Sequence, residues 1–266
     1  MRFLIQKKLV DERDLDTQIL LNKLKEPQFK YIHSVEYCDI SEIGRDRHEN
    51  MIPVGNIDFV SEYVRKYYGI EHQHPIEIPK ILREYKFLKR DYSIVNYNEL
   101  PTKGLWFIKD ASQLKVFSYS GDISFLEGCW NDTKEYSTAL KLDKEHLYQV
   151  SEIVDILAEF RVYVIGGKIE AITQYDGKPG IFPDTQLIEE AHNLYVKSGD
   201  APRSYTMDIM VTPRGTSIIE IHNFTSVGLY TVLFGDSLVY AYRDALDYII
   251  DKNIKPSKTR ITKENN

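Results

Sequence analysis

Short apolar runs alternate with amphipathic segments over the first 70 residues of the chain. In the amphipathic segments apolar side chains recur at helical spacing, as Ile57, Val60, Val64 and Tyr67 do. The apolar runs predict strands at residues 2–6, 30–37 and 51–55, and the amphipathic segments predict helices at residues 11–24 and 57–68. Strands that alternate with helices in this way predict a small α/β unit.

The rest of the chain is richer in β-type residues. Strands are predicted at residues 105–108, 147–154, 162–165, 168–173, 207–211 and 216–221. Two helices are predicted at residues 184–197 and 237–250, with Asp184 and Ser237 as their caps. A stretch rich in Pro and His, residues 69–85, marks a boundary between two sub-regions, and we expect the polar tail to be frayed.

Two histidines, His72 and His74, lie two residues apart in the boundary stretch. Imidazole pairs bind zinc in many proteins. In a connecting loop, however, most such pairs are simply solvated, so contact with water is the favoured interpretation and zinc binding is the alternative.

A predicted hairpin brings two acidic residues together. Residues 212–215 have the composition of a turn, with Pro early and Gly last, so the strands on either side should pair. This pairing places Asp208 near Glu220. Two carboxylates among β-branched neighbours repel each other and lose water, and a divalent cation bound through their oxygens relieves both costs. The alternative is a solvated hairpin whose acids never meet.

Two lysines follow a predicted buried strand. The strand at residues 105–108 ends at Lys109, and Lys115 comes six residues later, before Gly121. A lysine at a strand end and another in the following loop can both reach one polyphosphate, because the ammonium group is a compact point charge. The alternative is two ordinary surface lysines. The chain has no Gly-x-x-x-x-Gly-Lys-Ser/Thr pattern, so the loop is not of the Walker type.

Arg161 begins a strand that leads into a hairpin turn at Gly166 and Gly167. The local sequence favours a plain salt bridge between Arg161 and Glu159. The other interpretation is that Arg161 points into a cleft and contacts a phosphoryl group during its transfer.

Composition narrows the class of protein. The chain has 266 residues, 42% of them apolar and 28% charged, which is typical of soluble globular proteins. A net charge of −6 argues against broad nucleic-acid binding. The two cysteines, Cys38 and Cys129, are too few for a disulfide framework. With no apolar run near the roughly 20 residues of a membrane span and no signal-peptide pattern, we expect a cytoplasmic protein without membrane contact.

Taken in order, these features resemble the ATP-grasp superfamily, and more narrowly its phage- and bacteria-associated clade, which is named for one arginine and two lysines. The resemblance rests on FIKDASQLKVFSYSG at residues 107–121, on EFRVYVIGG at residues 159–167, and on Asp208 followed by EIHNFTSVGLY at residues 220–230. The segment IPVGNIDF at residues 52–59 is also similar to the family's N-terminal subdomain.

The resemblance implies an α+β fold, the ATP-grasp fold, in which two α+β subdomains clasp ATP behind a small α/β N-terminal subdomain. On this expectation the chain divides into an N-terminal subdomain at residues 1–85, an ATP-grasp domain at 86–255 and a flexible tail at 256–266. The domain itself divides into a first lobe at residues 86–150 and a second lobe at 151–255.

The same resemblance implies how ATP is held. Lys109 and Lys115 contact the phosphates, and Lys115 is also a candidate catalytic residue. The strand end near residues 151–155 forms the hinge that holds adenine, where Glu152 and Val154 act through backbone groups. Asp155 is expected to reach the ribose.

The remaining implied roles concern the reacting phosphate. Arg161 would stabilise the phosphoryl group in transfer, and Asp208, Glu220 and Asn223 would hold Mg²⁺. Arg90 is a weaker candidate for a substrate or phosphate contact.

One position departs from the family pattern of Glu-x-Asn. Here His222 lies two residues after Glu220, and Asn223 follows it. In a straight strand Asn223 points to the opposite face. Either His222 takes the ligand position, or a β-bulge returns Asn223 to it. Because Mg²⁺ prefers oxygen ligands, His222 raises the question of which metal binds.

The resemblance implies an ATP- and Mg²⁺-dependent ligase that joins a carboxylate to an amine or thiol through an acylphosphate. Its substrates would be a small-molecule or peptide carboxylate and an amine acceptor, in a pocket near Tyr175, Lys178 and Arg203, and relatives of this kind often form homodimers. One alternative is a nucleotide-binding adaptor with a degenerate site. Another is a nucleic-acid-end ligase, against which the net charge argues.

Overall fold

The structure, a computed structural model, describes residues 1–29, 33–45, 48–71, 77–111, 117–124, 133–231 and 234–254. Its strands are β1 Arg2–Gln6, β2 Ser34–Cys38, β3 Ile52–Val54, β4 Tyr92–Asn96, β5 Leu105–Asp110, β6 Ser118–Asp122, β7 Leu147–Glu152, β8 Ala158–Ile165, β9 Lys168–Gly177, β10 Tyr205–Thr212 and β11 Gly215–Asn223. Its helices are α1 Lys7–Asp11, α2 Leu15–Leu24, α3 Ile57–Tyr68, α4 Tyr85–Leu88, α5 Thr133–Ala139, α6 Thr185–Ser198 and α7 Leu238–Ile254.

The N-terminal sheet is parallel, with the order β2-β1-β3. Its central strand β1 is buried on both faces, as strands of parallel sheets usually are. Phe3 and Ile5 pack into a core shared with α2 and α7, while Leu4 faces a second core with Phe59 of α3 and Ile249 of α7. Helix α7, from the C-terminal end of the described chain, therefore packs on the sheet formed by the first residues.

The middle sheet is antiparallel, with the order β4-β7-β5-β6. Ile108 of β5 and Tyr148 and Val150 of β7 form the centre of its core. The predicted strand at residues 105–108 is therefore confirmed and extends to Asp110, while the predicted strand at 147–154 ends at Glu152. Residues 153–157 connect this strand to β8.

The third sheet is antiparallel, with the order β11-β10-β8-β9. One face is apolar and is covered by α6, where Val162 and Ile209 pack with Ile188. The turn between β8 and β9 has Gly166 and Gly167 at φ of 60° and 80°, a region that favours glycine. The opposite face carries charged residues and forms one wall of a cleft against the middle sheet.

The two predicted helix caps have different outcomes. The side chain of Asp184 accepts hydrogen bonds from the backbone N–H groups of Gln186 and Leu187, so it caps α6 as predicted. The hydroxyl of Ser237 is buried and makes no hydrogen bond within the described residues, so the predicted cap of α7 is wrong. Among the helices of the described residues, none is long and apolar enough to cross a membrane.

Candidate functional site

A cleft of about 300 Å³ lies between the middle sheet and the third sheet. Its volume is at the lower end of the range for small-molecule sites. The residues that line it come from β5, β6, β7, the connection after β7, β10 and β11: Phe107, Lys109, Ser120, Gln149, Ser151, Glu152, Ile153, Val154, Ile156, Met210, Ile219 and Glu220, together with Arg90.

The cleft is apolar near the connection at residues 153–157 and charged farther away. Phe107 pairs with Ser151 at the end of β7, and Met210 pairs with Glu159 at the start of β8, so both lie close to that connection. Lys109 and Asp208 are two residues farther along the same strands, which is about 7 Å. A ligand that enters this cleft meets apolar walls at one end and charges at the other.

The connection places the two residues predicted to contact adenine, and the one predicted to contact the ribose, differently. Val154 lines the cleft. Glu152 also lines it, but its carboxylate is bound by both terminal nitrogens of Arg214 at 2.7 Å, which holds the pKa of Glu152 below its usual range. Asp155 is exposed and is not among the lining residues, so the structure does not bring it to the apolar end of the cleft.

Lys109 and Glu220 form an ion pair across the cleft, with 2.9 Å between Nζ and Oε2. Glu220 also lies 2.7 Å from Nε2 of His222. Burial works against the charged form of Glu220. The hydrogen bond from His222 and the charges of His222 and Lys109 outweigh burial, so the pKa of Glu220 lies well below its usual range.

Arg161 and Asp208 lie side by side on β8 and β10 and form a buried bidentate ion pair. Nε and Nη2 of Arg161 each donate to one oxygen of Asp208 at 2.7 Å. Burial alone lowers the pKa of Arg161, but the bonds to Asp208 raise it above its ordinary value.

The salt bridge predicted between Arg161 and Glu159 is wrong, because β8 pairs with β10 and sets Asp208 directly opposite Arg161. Glu159 instead accepts a hydrogen bond from the hydroxyl of Tyr175 at 2.6 Å. Arg161 and Asp208 lie on the strands next to Glu220 but are not among the residues that line the cleft, so the cleft-facing interpretation of Arg161 stays a prediction.

Two tyrosines cover Arg161. The rings of Tyr175 and Tyr230 stack with centroids 4.8 Å apart, and the guanidinium carbon of Arg161 lies 4.9 Å from the ring centre of Tyr230. Nη1 of Arg161 also donates to the carbonyl of Gly228. The guanidinium therefore contacts the rings of Tyr175 and Tyr230 through cation–π interactions and the carbonyl of Gly228 through a hydrogen bond.

A β-bulge decides which residues of β11 face the cleft. Ile218 pairs with Ile209, whereas Glu220 pairs with Asp208, so Ile219 is an extra residue. Because of it, Ile218 packs in the α6 core while Glu220, only two residues on, faces the cleft. From Glu220 the strand is regular again, which puts His222 on the same face.

Asn223 lies on the other face. It pairs with Tyr205, which is buried against α6, and it lines a separate depression with Tyr195. The bulge that was expected to return Asn223 to the acids lies before Glu220 and does not shift the residues after it. The structure therefore brings together Asp208, Glu220 and His222, and it does not bring Asn223 to them.

The donor set at this cluster fits a divalent cation. One oxygen of Asp208, one oxygen of Glu220 and one nitrogen of His222 all lie within 4.8 Å of one another. Mg²⁺ is bound in proteins by one or two carboxylates, and water and phosphate oxygens complete its octahedron. Two carboxylates at the charged end of the cleft meet that requirement.

Arg90 is buried behind the cleft, and its donors are engaged by the protein. It donates to the hydroxyls of Ser151 and Ser217 and to the carbonyl of Ile218, each at 2.8 Å. Burial without a paired carboxylate lowers its pKa to about 10. Its contacts join β7 of the middle sheet to β11 of the third sheet, so its position is that of a support for the cleft.

The three residues expected near the acceptor pocket do not lie together. Tyr175 is beside Arg161. The backbone carbonyl of Arg203 accepts from Gly167 at the other end of β9, about 20 Å away along the strand, and its side chain is exposed near Asp244. Lys178 is exposed. The sequence did not reveal these positions because they depend on the length and pairing of β9.

Three predicted residues, Lys115, His72 and His74, lie outside the described residues. Two further cleft residues, Met210 and Ile219, were not predicted from the sequence. Met210 was recognisable, because it lies two residues after Asp208 on one strand and so shares its face. Ile219 had no such signal, since it reaches the cleft only through the bulge.

Comparison with known proteins agrees with this architecture. The sequence model of the ATP-grasp domain, R2K clade family 2, matches residues 87–236. No curated protein matches the sequence. D-cycloserine synthetase DcsG shares the fold with a TM-score of 0.56 and 10% identity, over 93% of this chain and 99% of that one.

Two further solved structures share the fold. D-alanine–D-alanine ligase from Bacillus anthracis, complexed with ATP, has a TM-score of 0.50 and 14% identity over 96% of this chain and 97% of that one. D-alanyl-alanine synthetase A from Vibrio cholerae has a TM-score of 0.50 and 11% identity over 96% and 99%. At such low sequence identity, structural similarity is evidence of a shared fold alone. The similarity confirms the predicted α+β fold.

Proposed function

This chain belongs to the R2K clade family 2 of ATP-grasp domains, and we propose from that premise that it is an ATP-dependent ligase joining a carboxylate to an amine or thiol. The observation that carries the proposal is the ion pair of Lys109 and Glu220 at one end of a cleft, beyond an apolar slot, with the pair of Arg161 and Asp208 on the strands directly beside Glu220. The similar solved structures include ligases, one of them complexed with ATP, which agrees with this assignment.

The apolar end of the cleft suits the adenine ring. Phe107 and Met210 are its walls, and the backbone of residues 152–154 runs along its edge. A flat aromatic base gains from apolar contact on both faces, while its ring nitrogens need hydrogen bonds that a backbone edge can supply. We assign Glu152 and Val154 to this role through their backbone groups.

The phosphates then extend toward Lys109. In the structure its ammonium group is neutralised by Glu220. A triphosphate brings more negative charge than one carboxylate, so Lys109 would turn to it and release Glu220 for the divalent cation. Lys115 is assigned to the phosphates by the family resemblance alone.

The ion would be held by Asp208, Glu220 and His222. A divalent cation bound there supplies charge neutralisation for the β- and γ-phosphates. The carboxylates keep free lone pairs for it, because an ionised carboxylate offers about four acceptor sites and Arg161 occupies two of those on Asp208.

The reaction has two steps. The substrate carboxylate attacks the γ-phosphorus of ATP, and the bond from that phosphorus to the β-phosphate oxygen breaks. ADP departs, and the carboxylate has become an acylphosphate. The amine then attacks the acyl carbon, loses a proton, and expels inorganic phosphate. Arg161 would stabilise the transferring group with a fixed positive charge, and its bonds to Asp208 and Gly228 hold its guanidinium in place.

Trapping with hydroxylamine tests the proposal without knowledge of the amine. Hydroxylamine converts an acylphosphate into a hydroxamate, so a panel of carboxylic acids is screened with ATP and Mg²⁺ for hydroxamate and ADP together. We expect one class of acids to give both products, and Arg161→Met to give neither. The matched control is Lys168→Ala, exposed at the far end of β9, which should retain turnover.

The second candidate function is a nucleotide-binding adaptor without turnover. It is favoured by the ion pairs that Asp208 and Glu220 already form with Arg161, Lys109 and His222. A site neutralised in this way is also what a nucleotide-binding adaptor without turnover needs. Tight ATP binding with no ADP release across the whole panel would assign the adaptor and reject the ligase.

A further inference from the structure

We infer that His222 gives the metal site a nitrogen ligand and thereby selects Mn²⁺ over Mg²⁺. The inference rests on the proposed function, because it concerns the ion that accompanies ATP. It goes beyond that function by assigning the choice of ion to one side chain of this chain.

The first step is the orientation of the ring. Strand β11 is regular from Glu220 onward, so His222 projects from the same face as Glu220. Its Nε2 lies 2.7 Å from Oε1 of Glu220, and that nitrogen and the oxygens of Asp208 and Glu220 lie within 4.8 Å of one another. The imidazole nitrogen is therefore aimed at the space between the two carboxylates.

The second step is the capacity of the acids. Asp208 uses two acceptor positions for Arg161, and Glu220 uses one on each oxygen, for Lys109 and His222. A carboxylate offers about four positions, so both residues keep room for an ion. The ion would take the place of the contact between His222 and Glu220. The proton on Nε2 would be lost to solvent, with neutral His222 keeping its proton on Nδ1, and the Nε2 lone pair would become the third protein ligand.

The third step is the chemistry of the ligands. Mg²⁺ demands oxygen ligands in a near-ideal octahedron and loses water reluctantly. Imidazole favours first-row transition ions, whose affinity for a given site rises from Mn²⁺ toward Cu²⁺. A site with one imidazole, two carboxylates and phosphate oxygens is still rich in oxygen and six-coordinate, which suits Mn²⁺ better than tetrahedral Zn²⁺.

The competing explanation is that His222 only holds Glu220 by a hydrogen bond and never touches the ion. The two explanations differ in whether a nitrogen atom is bonded to the metal ion. A ligating imidazole places a nitrogen nucleus within bonding distance of the metal, whereas a hydrogen-bonded one does not.

The experiment measures Mn²⁺ directly on the full chain with a non-hydrolysable ATP analogue. Electron paramagnetic resonance counts free Mn²⁺ during a titration, competition with Mg²⁺ gives the affinity ratio, and electron spin-echo modulation detects nitrogen bound to Mn²⁺. The variants are His222→Asn and His222→Gln, which keep polarity but offer oxygen. His146→Asn is the control, since His146 also contacts acids, Asp110 and Asp143, away from this cluster.

We expect nitrogen coupling in the wild type and in His146→Asn, and its loss in both His222 variants. We also expect the ratio of Mn²⁺ to Mg²⁺ affinity to fall about tenfold in His222→Asn, the scale of a single ligand effect. Mn²⁺ binding without nitrogen coupling, or with an unchanged ratio, would overturn the inference and leave the ligase proposal intact. Failure of the ligase proposal has a different signature, which is the absence of hydroxamate with either ion.

Discussion

Lys109 and Glu220 are 111 residues apart in the chain and meet across the cleft, with 2.9 Å between ammonium nitrogen and carboxylate oxygen. One residue lies on the middle sheet and the other on the third sheet, so the contact joins the two walls. Each side chain is only partly exposed, at 23% and 31%. Lys109, which we assign to the phosphates, and Glu220, which we assign to the metal ion, thus neutralise each other in the structure. Binding of ATP and the ion must replace this ion pair with contacts to the ligands.

The first prediction concerns the pair of Arg161 and Asp208. Arg161→Met leaves Asp208 buried without its counter-charge, which should lower the free energy of unfolding by about 3–5 kcal/mol. Adding Asp208→Asn removes the unpaired charge and should recover part of that loss. Urea unfolding of the two single variants and the double variant gives the coupling energy. A coupling near zero would contradict the buried pair.

The second prediction compares two arginines that support the cleft. Arg90 is buried, with hydrogen bonds to two hydroxyls and three carbonyls, so Arg90→Met should cost about 2–4 kcal/mol in unfolding free energy. Arg214 reaches Glu152 at the exposed rim, where water screens the pair, so Arg214→Met should cost clearly less than Arg90→Met. Urea unfolding measures the free energy of unfolding of both variants. Equal decreases in the two variants would show that burial of the arginine does not determine its contribution to stability.

The third prediction follows from the low pKa of Glu220. A carboxyl group whose pKa is lower in the folded chain stabilises the fold above its unfolded pKa, about 4.5, and this contribution is lost as the pH falls toward the folded pKa. The stability difference between wild type and Glu220→Gln should therefore shrink as the pH is lowered from 6 to 3. A difference that stays constant over this range would show that Glu220 is not held in its charged form.

Two local elements were predictable from the sequence to the residue, whereas the helix predicted at residues 11–24 is two helices, α1 and α2. Strand β1 and helix α3 have the predicted bounds. The short apolar run identifies the strand, and apolar residues at regular helical spacing identify the helix. The hairpin of β10 and β11 also followed from its turn residues, and it sets Asp208 opposite Glu220 as predicted. In each case the determining interactions are close in sequence.

The partners of the charged residues were not predictable in the same way. Arg161 was assigned to the nearby Glu159, but the pairing of β8 with β10 gives it Asp208, 47 residues away. The bulge at Ile219 has no local sequence signal, and it alone sets Ile218 and Glu220 on opposite faces. The contact of Lys109 with Glu220 depends on how two sheets face each other, which no periodicity within one strand reports.

The fourth prediction tests the central claim, that the cleft binds ATP with a divalent cation. Calorimetry with a non-hydrolysable ATP analogue, with and without Mg²⁺ or Mn²⁺, is compared for the wild type, Lys109→Ala and the control Lys103→Ala, an exposed lysine on the turn before β5. We predict metal-dependent binding in the wild type and the control, and affinity lower by at least about tenfold in Lys109→Ala, since a charge-assisted phosphate contact is lost. Absence of binding in the wild type, or equal affinity in all three proteins, would contradict the assignment of this cleft.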